Sequence, residues 1–270
     1  MAEADLVFVK LGGSLITDKT QPLTARADVI QACAREIAAA WRSGLRLLIG
    51  HGSGSFGHSV AQRHGTRLGV HSPQEWLGFA EVASVARELD ALVVRSLLAA
   101  GVPAVSLPPS ATAKAHAGEL LTLDTSVAEA LLKAPAVPVV FGDVALDEEW
   151  GGTIVSTEQA LAYLALKLRP QRFVLAGEVD GVFDADPHAS SDVHLIPAIT
   201  SANYAEVLHC LGQARGADVT GGMADKVQRM YRLTQVLPGL RVQVISGLRP
   251  GLLAAAIAGE PVTAGTVIGA

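Results

Sequence analysis

Residues 50–58 read Gly-His-Gly-Ser-Gly-Ser-Phe-Gly-His, a loop with more glycine than a turn requires. A glycine loop that opens a helix near Ser55 presents bare backbone N–H groups and the positive end of a helix dipole, which together attract an anion. His58 falls on the first turn of that helix and faces the same place. A second such place is Lys10-Leu11-Gly12-Gly13-Ser14. There two successive glycines let the backbone approach an anion with no Cβ in the way, and Lys10 points an ammonium at it. Lys19, further along, is another mobile cation. Phe141-Gly142-Asp143-Val144 closes an apolar run with a carboxylate, and Asp218-Val219-Thr220-Gly221-Gly222-Met223, followed by Lys226, sets a glycine pair and a lysine at a helix start. Taken singly, each reads equally well as a turn, a cap or a surface charge.

Several chemistries are disfavoured by the same residues. Gly52, Gly54 and Gly57 spell the dinucleotide pattern GxGxxG, but that pattern should follow the first strand and be answered by an acidic residue closing the next one. His71-Ser72-Pro73-Gln74-Glu75 stands there instead and reads as a helix start. A protein-kinase glycine loop would need downstream catalytic motifs that are missing, and no GxxxxGK[ST] loop occurs. His64, His71, His116, His188, His194 and His209 are scattered without ligand spacing, so no protein-built metal site is expected. Cys33 and Cys210 are far apart and read as two buried structural thiols of a reduced compartment.

The elements that must position these groups alternate in type. Strands are expected at Leu6 to Leu11, Leu45 to Ile49, Ala104 to Leu107, Val137 to Phe141, Arg172 to Ala176 and Val242 to Ile245. Helices are expected at Ala25 to Trp41, Gln74 to Ala99, Ser156 to Leu168, Ala202 to Leu211 and Met223 to Leu237, with a hairpin at Glu148-Glu149-Trp150-Gly151-Gly152. The alternation predicts an α/β fold, a mainly parallel sheet with helices on both faces. Leu168-Arg169-Pro170 marks a soft boundary between two lobes on one continuous sheet, residues 1–170 and 171–270. On the long helix Phe79, Val82, Ala83 and Ala86 fall at i, i+3, i+4 and i+7, one apolar stripe whose alanines leave room either for a short hydrocarbon or for close helix packing.

Half of the 270 residues are hydrophobic, enough for a substantial core. A net charge of −5 leaves no basic field for nucleic acid or an anionic membrane. The acidic Met1 to Asp5 start is unlike a signal peptide, and charges interrupt every apolar run short of the roughly 18 residues a spanning helix needs, so a cytoplasmic protein is expected.

The ordered set Lys10 to Ser14, His51 to His58, Gly142-Asp143, Ser156-Thr157-Glu158, Val179-Asp180-Gly181-Val182 and Asp218 to Lys226 resembles the amino acid kinase superfamily over nearly the whole chain. Within it, His51 to His58 and Ile16-Thr17-Asp18-Lys19 look most like the isopentenyl phosphate kinases. The resemblance implies a three-layer αβα sandwich and transfer of the ATP γ-phosphoryl group to isopentenyl phosphate, with Mg²⁺ as cofactor and a homodimer as the assembly. By position it implies that Lys10, Gly12, Gly13, Ser14 and Gly54 meet the ATP phosphates and that Lys19 and Lys226 reach the transferring group. Glu178, Asp180 and Gly222 would hold the nucleotide. His58 would bind the acceptor phosphate, with Ser53, Gly57 and Thr157 beside it, and Asp143 would orient the lysines. Two positions depart from the family pattern: Ser53 stands where a third glycine is common, and Gly177-Glu178 where Thr-Asp is common. The rivals are a kinase of the same fold acting on a carboxylate, a nucleoside monophosphate or a phosphonate, a nucleotide-binding protein without turnover, and a dinucleotide oxidoreductase.

Overall fold

Apolar runs of five or six residues make the long strands, and the longer Ala- and Leu-rich stretches between them make the helices. The computed structural model describes residues 4–185, 187, 192–213 and 222–269; His188 and residues 218–221 lie outside them. The chain begins β1 (Leu6–Leu11), α1 (Gly13–Ile16), α2 (Ala27–Arg42), β2 (Arg46–His51), α3 (Gly54–His64), α4 (Pro73–Ala99), β3 (Ala104–Ser106) and α5 (Pro109–Thr112). It continues through β4 (Ala113–His116), β5 (Glu119–Leu123), α6 (Ser126–Lys133), β6 (Val137–Phe141), β7 (Asp143–Asp147), β8 (Gly151–Val155) and α7 (Thr157–Leu168). Last come β9 (Arg172–Gly177), β10 (Val182–Phe183), β11 (Leu195–Ile196), β12 (Ala198–Ile199), α8 (Tyr204–Gln213), α9 (Gly222–Val236), β13 (Arg241–Ser246), α10 (Leu252–Ala258) and β14 (Thr266–Ile268).

The main sheet runs β12-β14-β13-β9-β1-β2-β6-β3, parallel at every pairing but β13 with β14. Side chains of β1 alternate between two cores. Leu6 and Phe8 join the core built with α7, α8 and α9, while Val7, Val9 and Leu11 join the one built with α2, α4 and α10. The fold is therefore the three-layer sandwich expected. From β1 the chain crosses to β2 through α2 on one face, and from β9 it crosses to β13 through α8 and α9 on the other. The strand order thus reverses between β1 and β9, and open α/β sheets bind ligands outside the carboxyl ends of strands at such a point.

The expected long elements form within a few residues of the positions read from sequence. Those missed are short ones: α1, β4, β5, α5, α6, α10 and the strands β10, β11, β12 and β14. Cys33 is buried, and burial, helped by the Glu36 charge, pushes its thiol up to about 12. Cys210 is half-buried, which corrects the expectation of two buried thiols. Among the described residues no helix is long and apolar enough to cross a membrane.

A second sheet, β5-β4-β7-β8, carries the expected hairpin. One carboxylate clips its two turns together. Asp147 accepts from the amides of Ala117 (3.1 Å), Gly118 (2.8 Å), Glu149 (2.9 Å) and Trp150 (2.8 Å). Burial would raise its pKa, but the four amides outweigh burial and hold the carboxyl below its usual range. A depressed carboxylate stabilises the fold above its unfolded pKa, and the contribution fades as pH falls through the folded value. Asp147→Asn should therefore cost about 2 kcal/mol at pH 7, with the gap to wild type shrinking below about pH 4, as read by urea unfolding across that range.

Candidate active site

Both glycine loops sit at carboxyl ends of neighbouring strands and touch through their backbones. A Cβ at Gly13 would lie 2.6 Å from the Gly54 amide nitrogen, and one at Gly52 would lie 2.7 Å from that of Gly13. Contacts this close exclude every side chain. Gly54 also has φ +49°, the left-handed region that suits glycine. The first loop is moored by Gly12, whose amide donates to the Ala176 carbonyl of β9 (2.8 Å). It leads straight into α1, where the Leu15 and Ile16 amides donate to the Gly12 carbonyl (3.0 and 3.2 Å) while those of Gly13 and Ser14, at the very start, have no intrahelical acceptor. The second opens α3 at Gly54, one residue before the expected start, with Ser53 as its N-cap.

Lys10 projects from β1 toward α7 and is 6% exposed. Its Nζ lies 2.8 Å from Oε1 of Glu158, on the first turn of α7. Burial would raise the Glu158 carboxyl, but the charges of Lys10 and Lys226 and the Lys10 hydrogen bond override it and bring it down to about 2. Glu158 thus pairs with Lys10 and also feels the charge of Lys226, from α9. Asp143 does not have the role expected of it. It is fully buried and accepts from the amides of Val144 (2.9 Å) and Ser110 (3.0 Å). Burial pushes its carboxyl above the usual range despite these bonds and the Arg87 charge. It braces α5 against β7.

Ser53 and Thr157 lie on either side of Gly142, since a Cβ at Gly142 would lie 3.3 Å from the Thr157 hydroxyl and 3.7 Å from that of Ser53. The Thr157 hydroxyl, however, is spent inside the protein: it donates to the His51 carbonyl (2.7 Å). Gly57 packs on Ser53, leaving no space for a Cβ. His58 is exposed on α3, and Lys19 is exposed in a turn whose Asp18 accepts from the Thr20 amide (2.8 Å) and hydroxyl (2.7 Å). Glu178 meets Arg26 (3.2 Å) and Asp180 meets Arg249 (2.8 Å), while Gly222 opens α9. Behind the second loop, His51 is buried, stacked on Phe141, and 3.1 Å from Asp90 of α4, whose other oxygen accepts from Ser106 (2.5 Å).

The expected stripe divides in two. Phe79, Val82 and Ala83 form a small apolar cluster with Val60 and Ala61 of α3, Val144 of β7 and Ile154 of β8, distinct from the two main cores. Ala86, one turn on, is buried outside that cluster. Among the described residues no group of three His, Cys, Asp or Glu side chains forms a metal cage.

Glu158→Gln would leave Lys10 buried without a counter-charge, and should cost about 3 kcal/mol at neutral pH. Because the Glu158 carboxyl is depressed from its ordinary value of 4.5 to about 2, the difference from wild type should be full above that ordinary value and shrink progressively as pH falls from it to about 2. Added tripolyphosphate, supplying the missing negative charge, should raise Tm more in the variant than in wild type; an equal rise would place Lys10 away from the anion.

The profile of the Amino acid kinase family matches residues 5–246. An isopentenyl phosphate kinase of Methanothermobacter thermautotrophicus is 34% identical over 98% of this chain and 99% of its own length. Another, from Haloferax volcanii, is 36% identical over 97% of this chain and 98% of its own. An X-ray structure of isopentenyl phosphate kinase superimposes with a TM-score of 0.83 at 32% identity, covering 97% of this chain and 99% of that one. Two touching glycine loops with a shared lysine pair, on a chain aligned to such relatives from end to end, place this protein in the amino acid kinase family and, within it, among the isopentenyl phosphate kinases.

Proposed function

We propose that the chain transfers the γ-phosphoryl group of ATP to isopentenyl phosphate, giving isopentenyl diphosphate and ADP. The observation that carries the choice of acceptor is the separate apolar cluster of Phe79, Val82, Ala83, Val60, Val144 and Ile154, which builds on α3, the helix that the second glycine loop opens. A polar anion cradle with an apolar annex fits a phosphate that bears a short hydrocarbon tail.

In this reading Gly12, Gly13, Ser14 and Gly54 cradle the ATP phosphates, and Lys10, Lys19 and Lys226 offset charge on the transferring group. Residues 171–270, through Glu178, Asp180 and Gly222, hold the nucleotide; residues 1–170 hold the acceptor. Ser53 and Gly57 shape the acceptor loop, with Thr157 fixing it from behind. A phosphate monoester is already anionic and nucleophilic near neutral pH, so no side-chain base is required. His58 accordingly donates a hydrogen bond to the acceptor phosphate. Mg²⁺ binds nucleotide phosphates readily while keeping several waters, and it arrives on ATP. We assign the product to isoprenoid synthesis of the mevalonate type, in the cytoplasm, by a homodimer.

ATP consumption measured against isopentenyl phosphate, a nucleoside monophosphate, a carboxylate amino acid and a phosphonate should be greatest with isopentenyl phosphate. His58→Gln should retain most of that kcat/KM and His58→Ala should lose at least about tenfold; preference for another acceptor, or full activity in both variants, would refute the assignment. Ala83→Phe should fill the annex and shift preference toward shorter alkyl phosphates by roughly tenfold or more, about the worth of a methylene or two; an unchanged preference would place the tail elsewhere.

A further inference from the structure

Thr17 is 1% exposed and follows α1 directly. Its hydroxyl donates to the Gly13 carbonyl (2.8 Å) and accepts from the Ser55 amide (3.0 Å). One oxygen thus joins the two glycine loops, using both its donor and an acceptor lone pair. The fit is close enough to dictate the neighbouring residue, since a Cβ at Gly54 would lie 2.1 Å from Thr17 Oγ1 and 2.8 Å from its methyl carbon. Thr17 also pairs with Ala25 in an isolated antiparallel bridge, which closes the loop that carries Lys19. That loop docks on the same serine: the Leu23 amide donates to the Ser55 carbonyl (3.4 Å), and the Ser55 hydroxyl reaches the Thr24 carbonyl (3.5 Å).

We propose that Thr17 is a positioning residue that sets the distance between donor and acceptor phosphates and anchors the Lys19 turn against both. The inference rests on the function proposed above and deepens it. Thr17 touches neither substrate; it acts through Gly13, Gly54 and Ser55. Displacement of one reactant by about 1 Å costs on the order of 100-fold in rate even when each partner still binds. Loss of this hydroxyl should therefore lower kcat and leave the two binding constants nearly unchanged.

Thr17→Ser and Thr17→Ala share the lost methyl and differ in the hydroxyl, so the comparison isolates it. Expected are kcat within about threefold of wild type for Thr17→Ser and a loss of roughly 10- to 100-fold for Thr17→Ala. Calorimetric Kd values for a non-hydrolysable ATP analogue and for isopentenyl phosphate should change less than about threefold in either. Hydrogen exchange of the Ser55 amide, read by NMR without turnover, should remain slow in wild type and Thr17→Ser and quicken in Thr17→Ala. Equal kcat in the two variants, or a loss in Thr17→Ala carried by the Kd values, would overturn the proposal, as would unchanged Ser55 exchange. A wild-type chain that does not turn over isopentenyl phosphate would refute the proposed function, while Ser55 exchange would still decide whether the hydroxyl clasps the loops.

Discussion

Two stretches of backbone, at Gly13 and Gly54, pack against each other with no space for a side chain, and the site depends on that contact. Phosphoryl transfer between two anions requires cradles close enough for in-line attack, yet like charges about 4 Å apart repel by roughly 4 kcal/mol at the effective dielectric of a protein surface. Bare amides are the most compact donors a chain possesses, and glycine alone lets two sets of them approach this nearly. Neighbouring parallel strands, β1 and β2, supply the spacing. Their cradles are adjacent because the strands are.

Positive charge completes the cradles, and its placement has a cost. Lys10 enters the site from the buried end of β1, where an unpaired ammonium would be strongly disfavoured. Glu158 offsets that cost. Since it faces both Lys10 and Lys226, the three side chains carry two positive charges and one negative, leaving a net attraction for an anion. Its position on the first turn of α7 is reinforced by the capping box of Ser156 and Gln159, which fixes the helix start to within one residue. Lys226 comes from α9, beyond β9, so its charge reaches this carboxylate from a late part of the chain.

The parts of this arrangement that were legible in the sequence are those whose signal is local. Gly12-Gly13 and Gly52 to Gly57 announce anion loops by composition, and Lys10 stands beside one of them. Glu158 stood in a motif read as a whole, Ser156-Thr157-Glu158, but its role did not show, because what distinguishes it is a lysine 2.8 Å away in space and far off in the chain. Asp143 misled for the complementary reason: a carboxylate after a glycine at a strand end reads the same whether it meets ammonium groups or, as here, the amides of Ser110 and Val144. Thr17 belongs to a motif noticed as a whole, but its two bonds depend on the meeting of loops that sequence alone does not bring together. Among the elements, β4 was missed since Lys114 and His116 alternate with alanines rather than with large apolar residues, and β10 to β12 since two residues carry no period at all.

The stripe on α4 shows how one helix can serve two purposes. Leu89, Val93 and Leu97 near its carboxyl end pack into the core shared with α2, whereas Phe79, Val82 and Ala83 near its amino end pack with α3 and the β7–β8 hairpin. Among the described residues Val85 alone borders both groups. Substitutions in sets that share few contacts act nearly independently on stability. On the function proposed above, tail specificity can therefore change through Phe79, Ala83, Val144 or Ile154 while the packing that holds β1 and β2, and with them the two glycine loops, stays as it is. In that proposal an apolar annex built off the sheet separates what is accepted from how two phosphates are aligned.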